Sequence, residues 1–344
     1  MRARLWLVGA LLGLGCRPAL AWGCKGHEVI ALIAWAHLEP GVAKQVEAML
    51  EDSPIPPGLP RRCRADFAGL PLMAQMASWA DDVRDATTAR YHYVDIPLGA
   101  ARGGGALAAA CQGDCATFAI AQYSRQLRTG ASPQERAEAL RYLIHLVGDL
   151  EQPLHAVDNA DHGGNCVAAR LPGAKHRTNL HIAWDSGLLA TMMAHAGPAR
   201  YAAGLDARFG RRFAAGSQDP AAWAWQSNAL AARYAYGRLP IRIAPDHEAI
   251  TSCRSRKVKL RLEVLDAGYT AQARPVIERQ LDRGGWRLAR LLNRLLAWAP
   301  ARLPGHGYNG AGPVRRAPRR DYAPVFHISR RRRRRLGFIK KGTL

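Results

Sequence analysis

Apolar residues return at helical spacing through most of this chain, and that period confines it to a helix-built fold. Val29, Ile30, Leu32, Ile33 and Ala36 form one apolar face, and 42–50 repeats the pattern. The stretches 116–127, 135–150, 180–193, 221–236 and 275–299 read as helices of ordinary length. Ser132-Pro-Gln-Glu135 has the form of a helix start, with a capping serine and a proline at the first helical position. No strand-like alternation is sustained, although 257–265 is ambiguous, and there is no internal repeat. The expectation is a mainly α, single-domain fold with long loops at 53–64, 97–113 and 155–178. The third loop is flanked by histidines and acids, and loops held by rigid helices are where sites concentrate.

The two ends read differently from the body. Arg2 and Arg4 precede a short apolar run, 5–15, and Ala19-Leu20-Ala21 fits a small-residue cleavage site. Residues 1–21 are therefore expected to be a secretory signal peptide, with Trp22 as the mature N-terminus and a secreted or periplasmic destination. Cys16 suits a lipid anchor poorly, because Gly13 stands where an aliphatic residue is preferred. No apolar run outside this segment reaches the ~18–20 residues of a bilayer span, so membrane insertion is not expected. From residue 300 the helical period stops and six consecutive arginines, 330–335, cannot pack. Residues 300–344 read as a basic, disordered tail. Of the net charge of +22, the last 44 residues carry +12 and the first 21 carry +3, which leaves +7 for the body. Charge alone would suggest a nucleic-acid binder, but most of it lies at the ends. Export leaves six cysteines, 24, 63, 111, 115, 166 and 253, an even number that suggests disulfides. Cys111 and Cys115 could close a small loop; the other four allow three pairings.

The chemistry lies in histidines and aspartates. His145 and Asp149 are four apart on a helical segment, and so are His181 and Asp185. That spacing puts both side chains on one helix face, with Cβ atoms about 6 Å apart. His155 lies just past a helix end, Asp81, His92 and Asp95 stand upstream, and His27 is near the expected mature terminus. Neutral imidazole with carboxylate is a zinc-type ligand set, and without paired thiolates a Cys-rich structural site is not expected. One such pair is usually only a hydrogen-bonded pair; two, with further candidates, favour metal. The histidines at 37, 162, 176, 195, 247, 306 and 327 lack this company and read as surface or core residues.

Taken in order, these pieces resemble the type I nuclease family, the single-strand-specific, zinc-dependent nucleases and 3′-nucleotidases of the mung bean type. The resemblance rests on Trp22-Gly-Cys-Lys-Gly-His27, Ser78-Trp-Ala-Asp81 with Arg84, His92-Tyr-Val-Asp95 and His145-Leu-Val-Gly-Asp149. It continues through Gln152-Pro-Leu-His155, Asp161-His-Gly-Gly-Asn165, Asn179-Leu-His181 with Trp184-Asp185, and 284–293. It spans roughly residues 22–299, with a poor match at 237–267, and His162 stands where many relatives have arginine.

The resemblance implies the helical fold shared by type I nucleases and zinc-dependent phospholipase C, and three zinc ions. Asp81, His92, His145 and Asp149 would hold the first ion, and His155, His181 and Asp185 the second. The third would take the free amine and carbonyl of Trp22, His27, and Asp149 as a bridging carboxylate; signal removal would thus complete the site. A metal-activated hydroxide would attack phosphorus in line, Asp81 would help orient it, and Arg84 would meet a non-bridging oxygen. Tyr93 matches a base-stacking aromatic, Asp95 a base hydrogen-bond acceptor, and Asn165 a loop or substrate contact. The implied function is an exported endonuclease and 3′-nucleotidase that acts, as a monomer, on single-stranded DNA, RNA and 3′-nucleotides to give 5′-phosphorylated products. The alternatives are a zinc-dependent phospholipase C and a non-catalytic, basic nucleic-acid-binding protein.

Overall fold

The computed structural model describes residues 22–297, apart from 56–58, 60–62, 64–68, 104, 240–252 and 254–262. The expected signal peptide and basic tail, His247, His306, His327 and most of the ambiguous 257–265 segment lie outside the described residues. From Cys24 the chain forms α1 (Cys24–Ala36), α2 (Pro40–Glu51), the single turns α3 (Leu72–Gln75) and α4 (Trp79–Asp82), α5 (Ala106–Cys111), α6 (Ala116–Thr129) and α7 (Pro133–Glu151). A long loop carries β1 (Ala168–Arg170) and β2 (Thr178–Asn179). Then come α8 (Leu180–Ile182), α9 (Leu188–Met192), α10 (Pro198–Phe209), α11 (Pro220–Leu230), β3 (Glu263–Val264) and α12 (Ala267–Leu296).

Helix α7 starts as its sequence requires. The Glu135 amide donates to Ser132 Oγ at 3.1 Å and the Ser132 amide donates to Glu135 Oε2 at 3.2 Å, with Pro133 at the first helical position. From Ala139 to Glu151 every residue is buried. A helix covered on all sides is a core element, and α1, α6, α11 and α12 cover this one. Gly285 lets α12 approach α1, since a Cβ there would overlap Ile33 of the α1 apolar face.

Several boundaries differ from the sequence reading. Helix α12 opens at Ala267 rather than at Pro275, because Asp266 caps it by accepting from the Tyr269 amide at 2.7 Å. Pro275 then lies inside the helix, where the carbonyl it cannot serve belongs to exposed Ala271. Helix α5 falls within the expected 97–113 loop. Helix α10 carries too thin an apolar stripe to read, since only Ala202 and Leu205 are buried. The 155–178 loop contains β1, which pairs antiparallel with β2 (Ala169 opposite Thr178) and parallel with β3 (Ala169 opposite Glu263). The helix expected over 180–193 is continuous in direction but π-helical at Ala183–Gly187, and the end of the 221–236 helix is π-helical at Ala231–Tyr236. Three disulfides form: Cys111–Cys115, as the spacing suggests, with Cys24–Cys63 and Cys166–Cys253.

Candidate metal centre and adjoining pocket

The buried core helix α7 brings His145 and Asp149 to the centre of the fold, both fully buried. Around them stand His27 from α1, Asp81 from α4 and His92 from the 3₁₀ turn Ala89–His92. Asp149 Oδ1 lies 3.3 Å from His27 Nε2, while Oδ2 lies 2.9 Å from His92 Nδ1 and 3.2 Å from His145 Nε2. Asp81 Oδ1 is 3.8 Å from His92 Nδ1 and 3.7 Å from His145 Nε2. A second cluster joins His155, His181 and Asp185. Its two Nε2 atoms are 3.0 Å apart, and they lie 3.8 and 3.5 Å from the Asp185 carboxylate. Three sets can therefore converge on an ion: His27, His145 and Asp149; Asp81, His92 and His145; and His155, His181 and Asp185.

Trp22 is fully buried beside α1, and the Gly23 amide donates to the Asp185 carbonyl at 2.8 Å. The segment that begins at Trp22 is thus bound to the segment that carries the second cluster.

Backbone carbonyls fix three of the rings. His145 Nδ1 donates to Ala77 O at 2.8 Å, His155 Nδ1 to His92 O at 2.7 Å, and His181 Nδ1 to Gly163 O at 2.7 Å. Each bond leaves Nε2 facing inward as the lone-pair nitrogen. Gly163 earns its place by geometry: its φ is +59°, and a Cβ would stand 2.6 Å from the Leu154 carbonyl. Gly148 is equally constrained, because a Cβ there would stand 2.8 Å from His27 Nδ1. The π-helical turn still sets Asp185 against His181. Gln152, fully buried, donates to Asp185 and accepts from the Leu154 amide at 2.6 Å.

The electrostatics favour a cation. Burial lowers His155 to about 3, with His181 adding to the effect, and lowers His181 to about 4 against the pull of the Gly163 carbonyl. Burial also lowers His27 and His92. These four rings are neutral donors at pH 7. Burial opposes charge on His145 too, but Asp149 and Asp81 outweigh it and raise the ring to about 9. A cation bound there displaces that proton. Asp149 is held well below the carboxylate range, against its burial, by the charge of His145 and by the adjoining His27 and His92 rings. Asp185 is pushed well above that range by burial, although Gln152 opposes the shift.

Does the donor set fit a metal? Both ring nitrogens of His27, Nε2 of His92 and His145, and single oxygens of Asp81, Asp149 and Asp185 are buried without hydrogen-bond partners. Unsatisfied polar groups at this density are costly unless something else binds them. Imidazole nitrogens with carboxylate oxygens suit a zinc-type ion, and every cysteine among the described residues is in a disulfide. The residues fit.

A cavity of about 190 Å³ opens on the second cluster. His155 and His181 line it together with Arg84, Tyr93, Asp95 and Asn165. The chain just after Tyr93 runs beside the loop after His155: the Val94 amide donates to His155 O at 2.8 Å, and the Asp158 amide donates to Ile96 O at 2.9 Å. Asn228 of α11 binds both segments, donating to Ile96 O at 3.3 Å and Ala156 O at 3.0 Å. Arg84 donates to the Ala89 carbonyl at 3.1 Å. Arg90 reaches over Tyr93, 5.9 Å from the ring centre. Burial and nearby Asp158 raise Asp95 to about 7. Asn165 donates to the His162 carbonyl at 2.8 Å.

The sequence reading missed some of this. His162, read as a surface or core histidine, lines the cavity, in a left-handed turn with φ of +54°. The two glycines that follow it were the available signal. Gln152, in Gln152-Pro-Leu-His155, shows its role only in the fold. His37 stays apart from the site, bound to Asp206 at 2.7 Å and stacked on Trp286, while His176 and His195 are exposed.

Comparison with known proteins bears on this arrangement. Residues 22–297 match the family described as S1/P1 Nuclease. Endonuclease 4 of Arabidopsis thaliana is 26% identical over 299 residues, covering 82% of this chain and 91% of that protein. Endonuclease 2 of the same plant is 28% identical, covering 80% of this chain and 90% of its own length. Nuclease P1 of Penicillium citrinum is 28% identical over 179 residues, which is 48% of this chain and 57% of that protein.

Proposed function

The chain belongs to the S1/P1 nuclease family, a family of hydrolases that cut nucleic-acid ester bonds, and from that premise we propose that it is an exported, zinc-dependent endonuclease and 3′-nucleotidase specific for single strands. The observation that carries this reading is the union of a buried, partner-starved His/Asp cluster with a cavity lined by an arginine, an aromatic and a carboxylate. In this reading residues 1–21 are the signal peptide, 22–299 the nuclease domain and 300–344 a basic tail. Three disulfides suit an exporting route. No described helix is long and apolar enough to cross a membrane.

Asp81, His92, His145 and Asp149 would hold one zinc ion. His155, His181 and Asp185 would hold a second. His27, Asp149 and the freed amine and carbonyl of Trp22 would hold a third. When bound, the ions supply acidification of water and neutralisation of charge on phosphoryl oxygens. The chain's own groups do the rest. Asp81 orients the attacking water, which adds to phosphorus in line as the bond to the 3′-oxygen breaks; the proton that the water gives up is balanced by the one taken up by the departing oxygen, leaving a 5′-phosphate on the released fragment and a 3′-hydroxyl on the other. The guanidinium of Arg84 binds a non-bridging oxygen through paired donors. Tyr93 stacks on a base and Asp95 accepts a hydrogen bond from it, while Asn165 shapes the far wall. Stacking requires a base that is free of its helix, so single strands are selected.

The test is zinc analysis of the processed protein beginning at Trp22, with parallel assays on single- and double-stranded DNA. About three zinc per chain and preference for single strands are expected. Asp149→Ala should abolish hydrolysis and lower zinc content, because its carboxylate serves two of the sites. Normal turnover in that variant, or cleavage of a choline phospholipid in place of DNA, refutes the proposal.

A further inference from the structure

A second cavity, of about 360 Å³, lies between α11 and α12. Arg102, Arg283, Arg287 and Arg290 line it with Phe213 and Gln226, and no acidic side chain does. Three of the four arginines come from α12 at positions i, i+4 and i+7, so one face of that helix delivers them.

These guanidiniums are held in place before any ligand arrives. Arg287 pairs with fully buried Glu151, donates to Gln226 Oε1 at 2.6 Å and stacks 5.1 Å from the Trp223 ring centre. Arg283 donates to Gln280 and lies 4.6 Å from the Phe213 ring centre. Arg290 donates to the Gly216 carbonyl at 2.9 Å. Within the described contacts only Arg287 of these three has a carboxylate partner. Burial lowers the pKa of Arg283; buried Glu151 favours its charge, while Arg287 and Arg279 oppose it, so one carboxylate is shared between two neighbouring guanidiniums. Crowding like charges in a partly dry site is unfavourable unless an anion joins them. Pinned forks of donors also bind a phosphate with less loss of freedom than mobile lysines would.

A neighbouring trough extends the basic surface. Larger, at about 670 Å³, it shares Arg102 and Gln226 with the pocket and adds Trp225 and Arg233. Gly99 and Ala100 also line it. Gly99 is four residues from Asp95, a span of at most ~14 Å of extended chain, and Asp95 lines the metal-side cavity. An aromatic beside a basic groove is what a flexible, phosphate-bearing strand requires.

We infer that the Arg102/Arg283/Arg287/Arg290 pocket is a second phosphate subsite that grips a phosphodiester of a single-stranded polynucleotide whose scissile bond sits in the metal-side cavity. The inference rests on the nuclease reading. It assigns to the pocket a preference for long strands that a mononucleotide cannot use.

The variants are Arg102→Gln, Arg290→Gln and the two combined; Arg287 is left intact because removing it would strand buried Glu151. With the processed, zinc-loaded enzyme, kcat/KM on a long single strand is expected to fall roughly tenfold in the double variant. The slope of log affinity against log salt should become shallower by about 0.7 per arginine. kcat/KM for a 3′-mononucleotide should not change. Equal losses on both substrates, or an unchanged long-strand rate and salt slope, overturn the inference. So does loss of inorganic phosphate binding, followed by titration calorimetry, with long-strand kinetics intact, since the pocket would then serve a small anion. If the wild-type enzyme cleaves neither substrate, the nuclease reading fails, and anisotropy of a labelled strand still decides: equal affinity in wild type and double variant ends the inference.

Discussion

Replacing Gln152 by Met is expected to weaken one metal site without touching a ligand. The Gln152 side chain is fully buried, donates to Asp185 and accepts from the Leu154 amide at 2.6 Å. Met fills a similar volume and makes neither bond. Asp185, already raised by burial, loses the Gln152 donor that favours its ionised form. It must ionise to meet a cation, so the penalty appears on metal binding. Outer-shell partners of this kind are worth ~10–100-fold in metal affinity, or about 1.4–2.7 kcal/mol. The lost bond to Leu154, one residue before His155, adds about 1 kcal/mol to the cost of folding whether or not metal is bound. The assay is a chelator titration that follows zinc release and activity together, with urea unfolding of the stripped protein as the control. Expected is a 10–100-fold weaker site for one zinc ion, with the others unchanged. Unchanged zinc affinity alongside a normal unfolding midpoint refutes the argument that Asp185 is held for its metal by Gln152.

Three further outcomes follow from the same geometry. Tyr93→Ala removes the stacking ring and should cost about 1–3 kcal/mol of base binding, seen as a raised KM with kcat largely kept; a fall in kcat alone contradicts that role. Asp95, raised to about 7, is mostly neutral below that pH and ionised above it. Affinity for a base that donates to it should therefore improve as pH rises through about 7, and Asp95→Asn should flatten that part of the KM profile; an identical profile in the variant counts against Asp95 as acceptor. Replacing Cys24 and Cys63 by Ser opens a crosslink between residues 39 apart, which chain entropy values at about 4 kcal/mol; urea unfolding that shows no loss would mean the bridge does not constrain the unfolded chain.

The fold was legible wherever one face of a helix meets the core. Helix α7 shows the limit of that signal: from Ala139 onward it is buried on all sides, yet its polar residues His145, Asp149 and Glu151 lie among the buried ones. His145 and Asp149 break the apolar period because they serve the site, and Glu151 because it pairs with Arg287, not because the helix surfaces there. Helix α10 shows the opposite failure, an element with only two buried apolar residues and hence no stripe to read. Pro275 misled because a proline opens a helix only when no better cap lies upstream, and Asp266 is that cap. Strands of two or three residues cannot display a two-residue period, so β1 and β2 were invisible and 257–265, which holds β3, read only as ambiguous.

The site divides along a similar line. The four-residue spacing of His145 with Asp149, and of His181 with Asp185, is a local property that a sequence displays directly, and the structure brings each pair within 3.5 Å or less. That spacing cannot display which carbonyl fixes a ring. Ala77, His92 and Gly163 do so through backbone atoms, and a backbone acceptor leaves no mark on residue identity except where its own conformation demands one. Gly163 carries such a mark, since its left-handed φ and its closeness to Leu154 exclude a side chain. Gln152 carries a weaker one: a buried amide immediately before a proline and three residues before a ring ligand must spend both its donor and its acceptor locally. The arginine pocket marks the far limit. Arg283, Arg287 and Arg290 lie on one face of α12, but only the fold reveals that Arg102, some 180 residues earlier, completes the set. A ligand site assembled from distant segments is thus legible in sequence only to the extent that each segment carries its own spacing, and a phosphate subsite made of single arginines carries almost none.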